Sequence, residues 1–434
     1  MRTYFRSWQS IALAALAIAS LNGCASFGRG IGEGIASREQ ADTRQCWARG
    51  RPVEGVMADV QRQEAAEAAG VADRPTLKVL MVHGIGSHAP GYSTRLAENM
   101  ARALALDHVQ EKFREFELSN PALPGKGLGV LRVTRHLNGT GTREMLFYEL
   151  TWDPTVEAEK QTIAFDNSGE HSFRRTAVNN ALKYFVNDTV PDVLVYNGRF
   201  REPIQMAVGQ SLCWMMSNTW GELPDGGVQY CDALAPTGLS RIQDDFVFIT
   251  HSLGSRITAD ALQRIASLAR TVPDFEAKTR GLQEKRSTVF MLSNQLPLLQ
   301  LGREEPEVRG QIDAVCAPGS PRAGERLFGE TRLVAFSDPN DLFSYAIPPK
   351  FLDEHLDSRL CPTLTNVILN VTPVTNVLGL GEFANPMAAH VGYDNDERVI
   401  ELMVRGIGTD AAAPVVKERC EWIEAVPEGK AQGE

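Results

Sequence analysis

The sequence predicts an α/β fold: a mostly parallel central sheet flanked by helices, with a helical cap-like insertion. Three observations lead there. From Thr76 onward, short runs of strand-forming residues alternate with longer stretches of helical period, the pattern of a largely parallel sheet covered on both faces. One run, Phe246-Val247-Phe248-Ile249, passes through a tight turn directly into a helical stretch. The size also suffices: 434 residues, 43% apolar and 23% charged, match ordinary globular usage and allow one large domain or two.

The elements follow in order. Residues 77–82 form the first strand, which ends in His83-Gly84-Ile85-Gly86. Residues 93–116 carry Leu96, Met100, Leu104 and His108 at helical period and are expected as one helix. Two runs, 130–136 and 145–152, flank Asn138-Gly139-Thr140-Gly141, a hairpin signal. A strand within 243–250 precedes a helix over 253–270. Three more strands, at 288–292, 332–336 and 366–371, precede a closing helix at 394–405. The stretch 152–243 lacks strand signals and holds helical segments near 176–190 and 204–216. The second is rich in Met, Leu and Trp. It reads either as core or as a cap presenting apolar side chains to an acyl group.

Lys and Arg number 44 against 54 Asp and Glu, a net charge of −10, with no run of five like charges. This excludes nucleic-acid binding through a basic surface. At the N-terminus, Arg2 and Arg6 precede an apolar run over 11–19, too short to span a bilayer, followed by Leu21-Asn22-Gly23-Cys24. This resembles the signal peptide of bacterial lipoproteins, with Asn22 where a small residue is usual. The resemblance implies that Cys24 takes a diacylglycerol, that the chain is cut before it, and that its new amine is acylated. Ala25 and Ser26 follow instead of Asp, which implies outer-membrane sorting. The protein would then be lipid-anchored in the bacterial cell envelope by a glycine-rich tether. The expected division is a leader over 1–23, a lipid-anchored linker over 24–75, a body over 76–410 with an insertion at 152–243, and a tail over 411–434.

Seven cysteines less Cys24 leave an even set, as an oxidising compartment favours. Nearest-neighbour pairing joins Cys213 with Cys231, Cys316 with Cys361, and Cys46 with Cys420. The other reading makes some of them small buried hydrophobes.

Thr250-His251-Ser252-Leu253-Gly254 lies between the strand and the helix described above. A strained strand-to-helix turn there thrusts one hydroxyl out of the sheet and aims helix N–H groups at developing negative charge. With Thr250 in place of the first glycine, the pentapeptide resembles the nucleophile turn of serine esterases and lipases in the α/β-hydrolase superfamily. The resemblance spans residues 76–405 and implies an α/β-hydrolase fold. His83-Gly84 resembles the oxyanion-loop motif, so the backbone N–H groups of Ile85 and Leu253 would form the oxyanion hole. The superfamily's chain order, nucleophile then acid then base, places the acid in Ser337-Asp338-Pro339-Asn340-Asp341. Asp338 precedes proline as a turn-capping residue does, which favours Asp341 as the acid and keeps Asp338 as the alternative. His390, in the loop after the last strand, takes the place of the base. His251 is expected to support the site, and the other histidines, His88 included, have no assigned role.

The implied chemistry is hydrolysis of a carboxylic ester, acyl or lipid, through an acyl-enzyme on Ser252. It needs no cofactor or metal, and His-Glu-x-x-His spacing is absent. The rival expectation is a noncatalytic lipoprotein that uses the same body as a binding scaffold.

Overall fold

The computed structural model describes residues 45–424 apart from 72–73, 107, 110–112, 168–174, 233–242, 269–270 and 377–381. Cys24, the leader and most of the expected tether lie outside the described residues. Among the described residues, twelve strands form one sheet. In chain order its first six are β1 (Cys46–Gly50), β2 (Leu77–Val82), β3 (His108–Val109), β4 (Arg114–Leu118), β5 (Gly129–Leu137) and β6 (Glu144–Thr151). Next come β7 (Val228–Gln229), β8 (Asp245–His251), β9 (Arg286–Leu292), β10 (Glu330–Ser337) and β11 (Pro362–Leu369). A small pair, β12 (Thr375–Asn376) with β13 (Glu382–Phe383), stands apart, and β14 (Glu421–Glu424) completes the sheet.

Six neighbours, β6-β2-β8-β9-β10-β11, run parallel. The expected hairpin is β5–β6, antiparallel, with Val133 opposite Tyr148. β4 continues antiparallel beyond β5, and at the far edge β1 pairs antiparallel with β11 and parallel with β14.

The helices that cover the sheet are α1 (Met57–Ala68), α2 (Thr94–Ala103), α3 (Glu157–Ala164), α4 (Ala177–Tyr196), α5 (Arg201–Ser217), α6 (Leu253–Ser267) and α7 (Phe275–Gln283). They are followed by α8 (Pro386–Val391), α9 (Glu397–Arg405) and α10 (Pro414–Arg419). Successive strand residues point to opposite faces, so each strand feeds two cores. Leu77, Val79 and Met81 of β2 pack with Val60 of α1, Met100 of α2 and Met403 of α9. Leu80 and Val82 pack with Ile204 and Val208 of α5 and Ile257 of α6. Lys78 is buried among them. Its ammonium donates to the carbonyls of Met215 and Asn218 at 2.7 and 2.8 Å and pairs with Asp244 at 2.6 Å. A cation among the last carbonyls of a helix is favourably placed, so Lys78 fastens the end of α5 to the sheet.

Several expectations are corrected. The helix over 93–116 ends at Ala103. Ala105 takes φ 55° and the amide of Leu106 bonds back to Ala101, a left-handed helix stop, after which Phe116 and Leu118 are buried on β4. The expected linker over 24–75 contributes β1 and α1 to the body, and the expected tail over 411–434 contributes α10 and β14. Their short, mixed sequences carry little period, and β1 acquires a core position by pairing with β11. The segment over 204–216 is core, because α5 lies against β2, β6 and α6. Its Met206, Leu212 and Met216 also line an apolar cavity of about 200 Å³ that includes none of Ser252, Asp341 or His390.

All three nearest-neighbour disulfides are present: Cys46–Cys420, Cys213–Cys231 and Cys316–Cys361. The first joins the start of β1 to the residue before β14 and so ties the two ends of the described chain together.

Candidate active site

The residues singled out in the sequence gather at the carboxyl ends of the parallel strands, where open α/β sheets leave a crevice. β8 is buried up to Thr250, and Ser252 follows with φ 56° and ψ −123°, outside the regions an L-residue prefers, before Leu253 opens α6. Two glycines make this turn possible by permitting close backbone approach. A Cβ on Gly254 would lie 2.3 Å from the carbonyl oxygen of Val82, and one on Gly84 would lie 2.6 Å from the Cβ of Ser252. Thr250, where a glycine was expected, is accommodated by its hydroxyl, which is 3.0 Å from Ser255 Oγ.

Gly84 in contact with Ser252 brings the Ile85 amide within one residue of the turn, and Leu253 follows Ser252 directly. As the first residue of α6, Leu253 has an N–H with no intrahelical partner. The loop is also held from above. Asp192 of α4, fully buried and paired with Lys160 at 2.9 Å, accepts the Gly86 N–H at 2.7 Å, while Asp188 accepts the Ser87 hydroxyl at 2.7 Å. Burial pushes the Asp192 carboxyl up despite Lys160.

Asp341 and His390 meet. Nδ1 of His390 lies 3.0 Å from both carboxylate oxygens of Asp341. Burial alone would raise the Asp341 carboxyl. The hydrogen bond and charge of His390, the Ser293 hydroxyl and the Phe343 N–H outweigh it and hold the group below the usual carboxylate range. Asp338 is committed elsewhere: Oδ1 accepts the Asn340 N–H at 2.8 Å and Oδ2 accepts the Val371 N–H at 2.8 Å. It caps its own turn and anchors the exit of β11.

His251 lies beneath His390, with Nε2–H donating to the His390 carbonyl at 2.8 Å and the two rings edge to face at 4.9 Å. Burial first, and then the neighbouring His390, pull its imidazole down to about 3, so it stays neutral. Ser293 was missed in the sequence. It follows β9, next to Leu292, whose carbonyl accepts the Ser252 N–H at 3.0 Å. Its Oγ lies 2.9 Å from His390 Nδ1, and the signal that could have found it is a hydroxyl at the end of the strand neighbouring β8.

One junction is open. Ser252 is 0 % exposed and its Oγ makes no hydrogen bond, so His390 is joined to Asp341 but not to Ser252 in this conformation. The rim is apolar and exposed: Leu342 is 68 % accessible, Val391 54 %, and the Phe343 ring stands edge-on to His390 at 5.9 Å. No family model, curated protein or solved structure matches this chain.

Proposed function

We propose that this chain is a serine carboxylic-ester hydrolase of the α/β-hydrolase type, acting on acyl or lipid esters from the bacterial cell envelope, where Cys24 anchors it. The observation that carries the reading is the strained Ser252 turn between β8 and α6, beside a buried imidazole–carboxylate pair from the turn after β10 and from α8. In this mechanism His390 takes the Ser252 proton as Oγ attacks the ester carbonyl. Asp341 holds the Nδ1–H tautomer and stabilises the imidazolium, and water then hydrolyses the acyl-enzyme. The N–H groups of Ile85 and Leu253 would receive the oxyanion. The strain at Ser252 supports this role because backbone kept outside its preferred region is a feature of reactive turns. The apolar rim of Leu342, Phe343 and Val391 suits an acyl chain.

Anchorage is supported by the Leu21-Asn22-Gly23-Cys24 sequence and by the three disulfides, which persist in oxidising compartments. Among the described residues no helix is long and apolar enough to cross a membrane. Cys24→Ser should abolish palmitate incorporation and release the protein from membranes; unchanged fractionation would reject the anchor.

One observation favours a noncatalytic scaffold: the buried Ser252 Oγ without a hydrogen bond. A fluorophosphonate probe and short p-nitrophenyl esters separate the two readings. The enzyme reading expects labelling and turnover in the wild type, and neither in Ser252→Ala. Folded wild type that shows neither would sink it.

A further inference from the structure

The loop over residues 83–88 carries two imidazoles that ester hydrolysis does not use. His83 directly follows β2, with its ring stacked on Trp152 at 4.9 Å and on His88 at 4.1 Å. Nδ1 of His83 is 2.9 Å from the Gly84 carbonyl, and Nδ1 of His88 is 2.9 Å from the Gly86 carbonyl. A carbonyl only accepts, so each Nδ1 carries the hydrogen and, in a neutral ring, each Nε2 presents a lone pair. Fixing the tautomer through a backbone carbonyl is how proteins prepare imidazoles for a metal.

The third member is Asp153, just past β6. One ring nitrogen from each histidine and one Asp153 oxygen lie within 4.8 Å of one another. Asp153 Oδ2 accepts the His88 N–H at 3.2 Å. Its Oδ1 is buried and faces His83 Nε2 at 3.2 Å, yet makes no hydrogen bond. With His83 Nε2 as an acceptor, two acceptors confront each other between buried groups, a repulsive arrangement that a cation between them would relieve. The His83 Nε2 also takes the Trp152 N–H at 3.2 Å, a contact that coordination would displace.

We propose that His83, His88 and Asp153 form a zinc site that pins the 83–88 loop to the end of β6. Two neutral imidazoles and one carboxylate suit Zn²⁺, with a fourth position left for water on the side of the half-buried His88. Zinc bonds of about 2.0–2.2 Å require the three ligand atoms to draw closer, and His88, half-buried on the loop, is the least enclosed of the three. The metal would fix the loop that carries Ile85 by cross-linking it to the sheet. The ligands come from the end of β2, the loop after it and the end of β6, so no helical or hairpin spacing announces them in the sequence. The assignment stands independently of the hydrolase reading.

The test uses full-length protein in detergent, stripped with chelator and titrated with Zn²⁺ by calorimetry, with thermal melts alongside. The expected result is one zinc per chain and a higher Tm on saturation. Co²⁺ in place of zinc should give the visible absorption of a low-symmetry, near-tetrahedral site. His88→Ala and Asp153→Asn should each reduce the stoichiometry from one to none, while the metal-free His88→Ala protein melts close to metal-free wild type. His355→Ala, which removes a separate surface pair with Glu305, should leave binding intact. No zinc uptake by folded wild type, or uptake unchanged in both ligand variants, would overturn the site.

Discussion

The hydroxyl of Ser293 donates to Oδ2 of Asp341 at 2.6 Å, from the end of the strand that lies between those leading to Ser252 and to Asp341. Ser293 has φ 50° and is fully buried, so its hydroxyl is held in one place by strained backbone instead of by a mobile side chain. It thereby supplies a donor to the carboxylate that, in the proposed mechanism, stays ionised and oriented against His390. A hydrogen bond to a charged group is worth about 1.5–3 kcal/mol. Ser293→Ala and Ser293→Gly should therefore lower kcat roughly ten- to a hundredfold with KM little changed, because the bond supports the imidazolium and not the bound ester. Glycine accepts the backbone conformation and alanine does not, so equal losses would trace the effect to the hydroxyl. Steady-state ester hydrolysis decides it; wild-type kcat in the glycine variant would remove Ser293 from the site.

The two aspartates of the 338–341 turn should separate cleanly. Asp341→Asn keeps the shape but presents an amide to Nδ1, and the wrong tautomer then faces Ser252. A loss of about 10⁴ in kcat is the expectation for such a change. Asp338→Asn weakens a turn cap and the bond to the Val371 N–H. That change should cost roughly 1–2 kcal/mol of stability and leave kcat close to wild type. Ester turnover and urea melts on both variants check this, and the opposite ranking in kcat would transfer the acid role to Asp338.

How far the sequence revealed this arrangement follows from the range of the signals. β2 and β8 were legible because they are buried almost along their whole length, and β2 and the β5–β6 hairpin fall where the periodicity placed them. The turn-capping place of Asp338 was legible because capping is local chemistry. β1, β4 and β14 were not, since their identity depends on which neighbour they pair with and their alternation lasts only four or five residues. Ser293, Asp192 and Asp153 were hidden for the same reason. Each acts across 48 residues or more, on Asp341, the Gly86 N–H and His83 respectively. Only the folded sheet brings them together.

Acid should weaken the fold through its buried imidazoles, and His136 offers a measurement away from the site. It is buried on β5 with Nε2 3.3 Å from Thr134 Oγ1, and burial pulls it down to about 4. The unfolded imidazole titrates near 6.5, so between those values the unfolded chain binds a proton that the folded chain refuses. Stability from this group is complete above the unfolded value, falls as pH drops through the window, and levels off below about 4. At pH 5 the loss is roughly 2 kcal/mol. Asp59, pushed up to about 7 by burial and by Asp245, works in the opposite direction, gaining stability as pH falls. Comparison with a variant is therefore required to isolate His136. His136→Gln should be less stable than wild type at pH 7 yet lose less stability on going to pH 5, by about that same 2 kcal/mol. Urea unfolding at the two pH values reads the difference directly, and equal losses in both proteins would mean that His136 already carries its proton in the folded state.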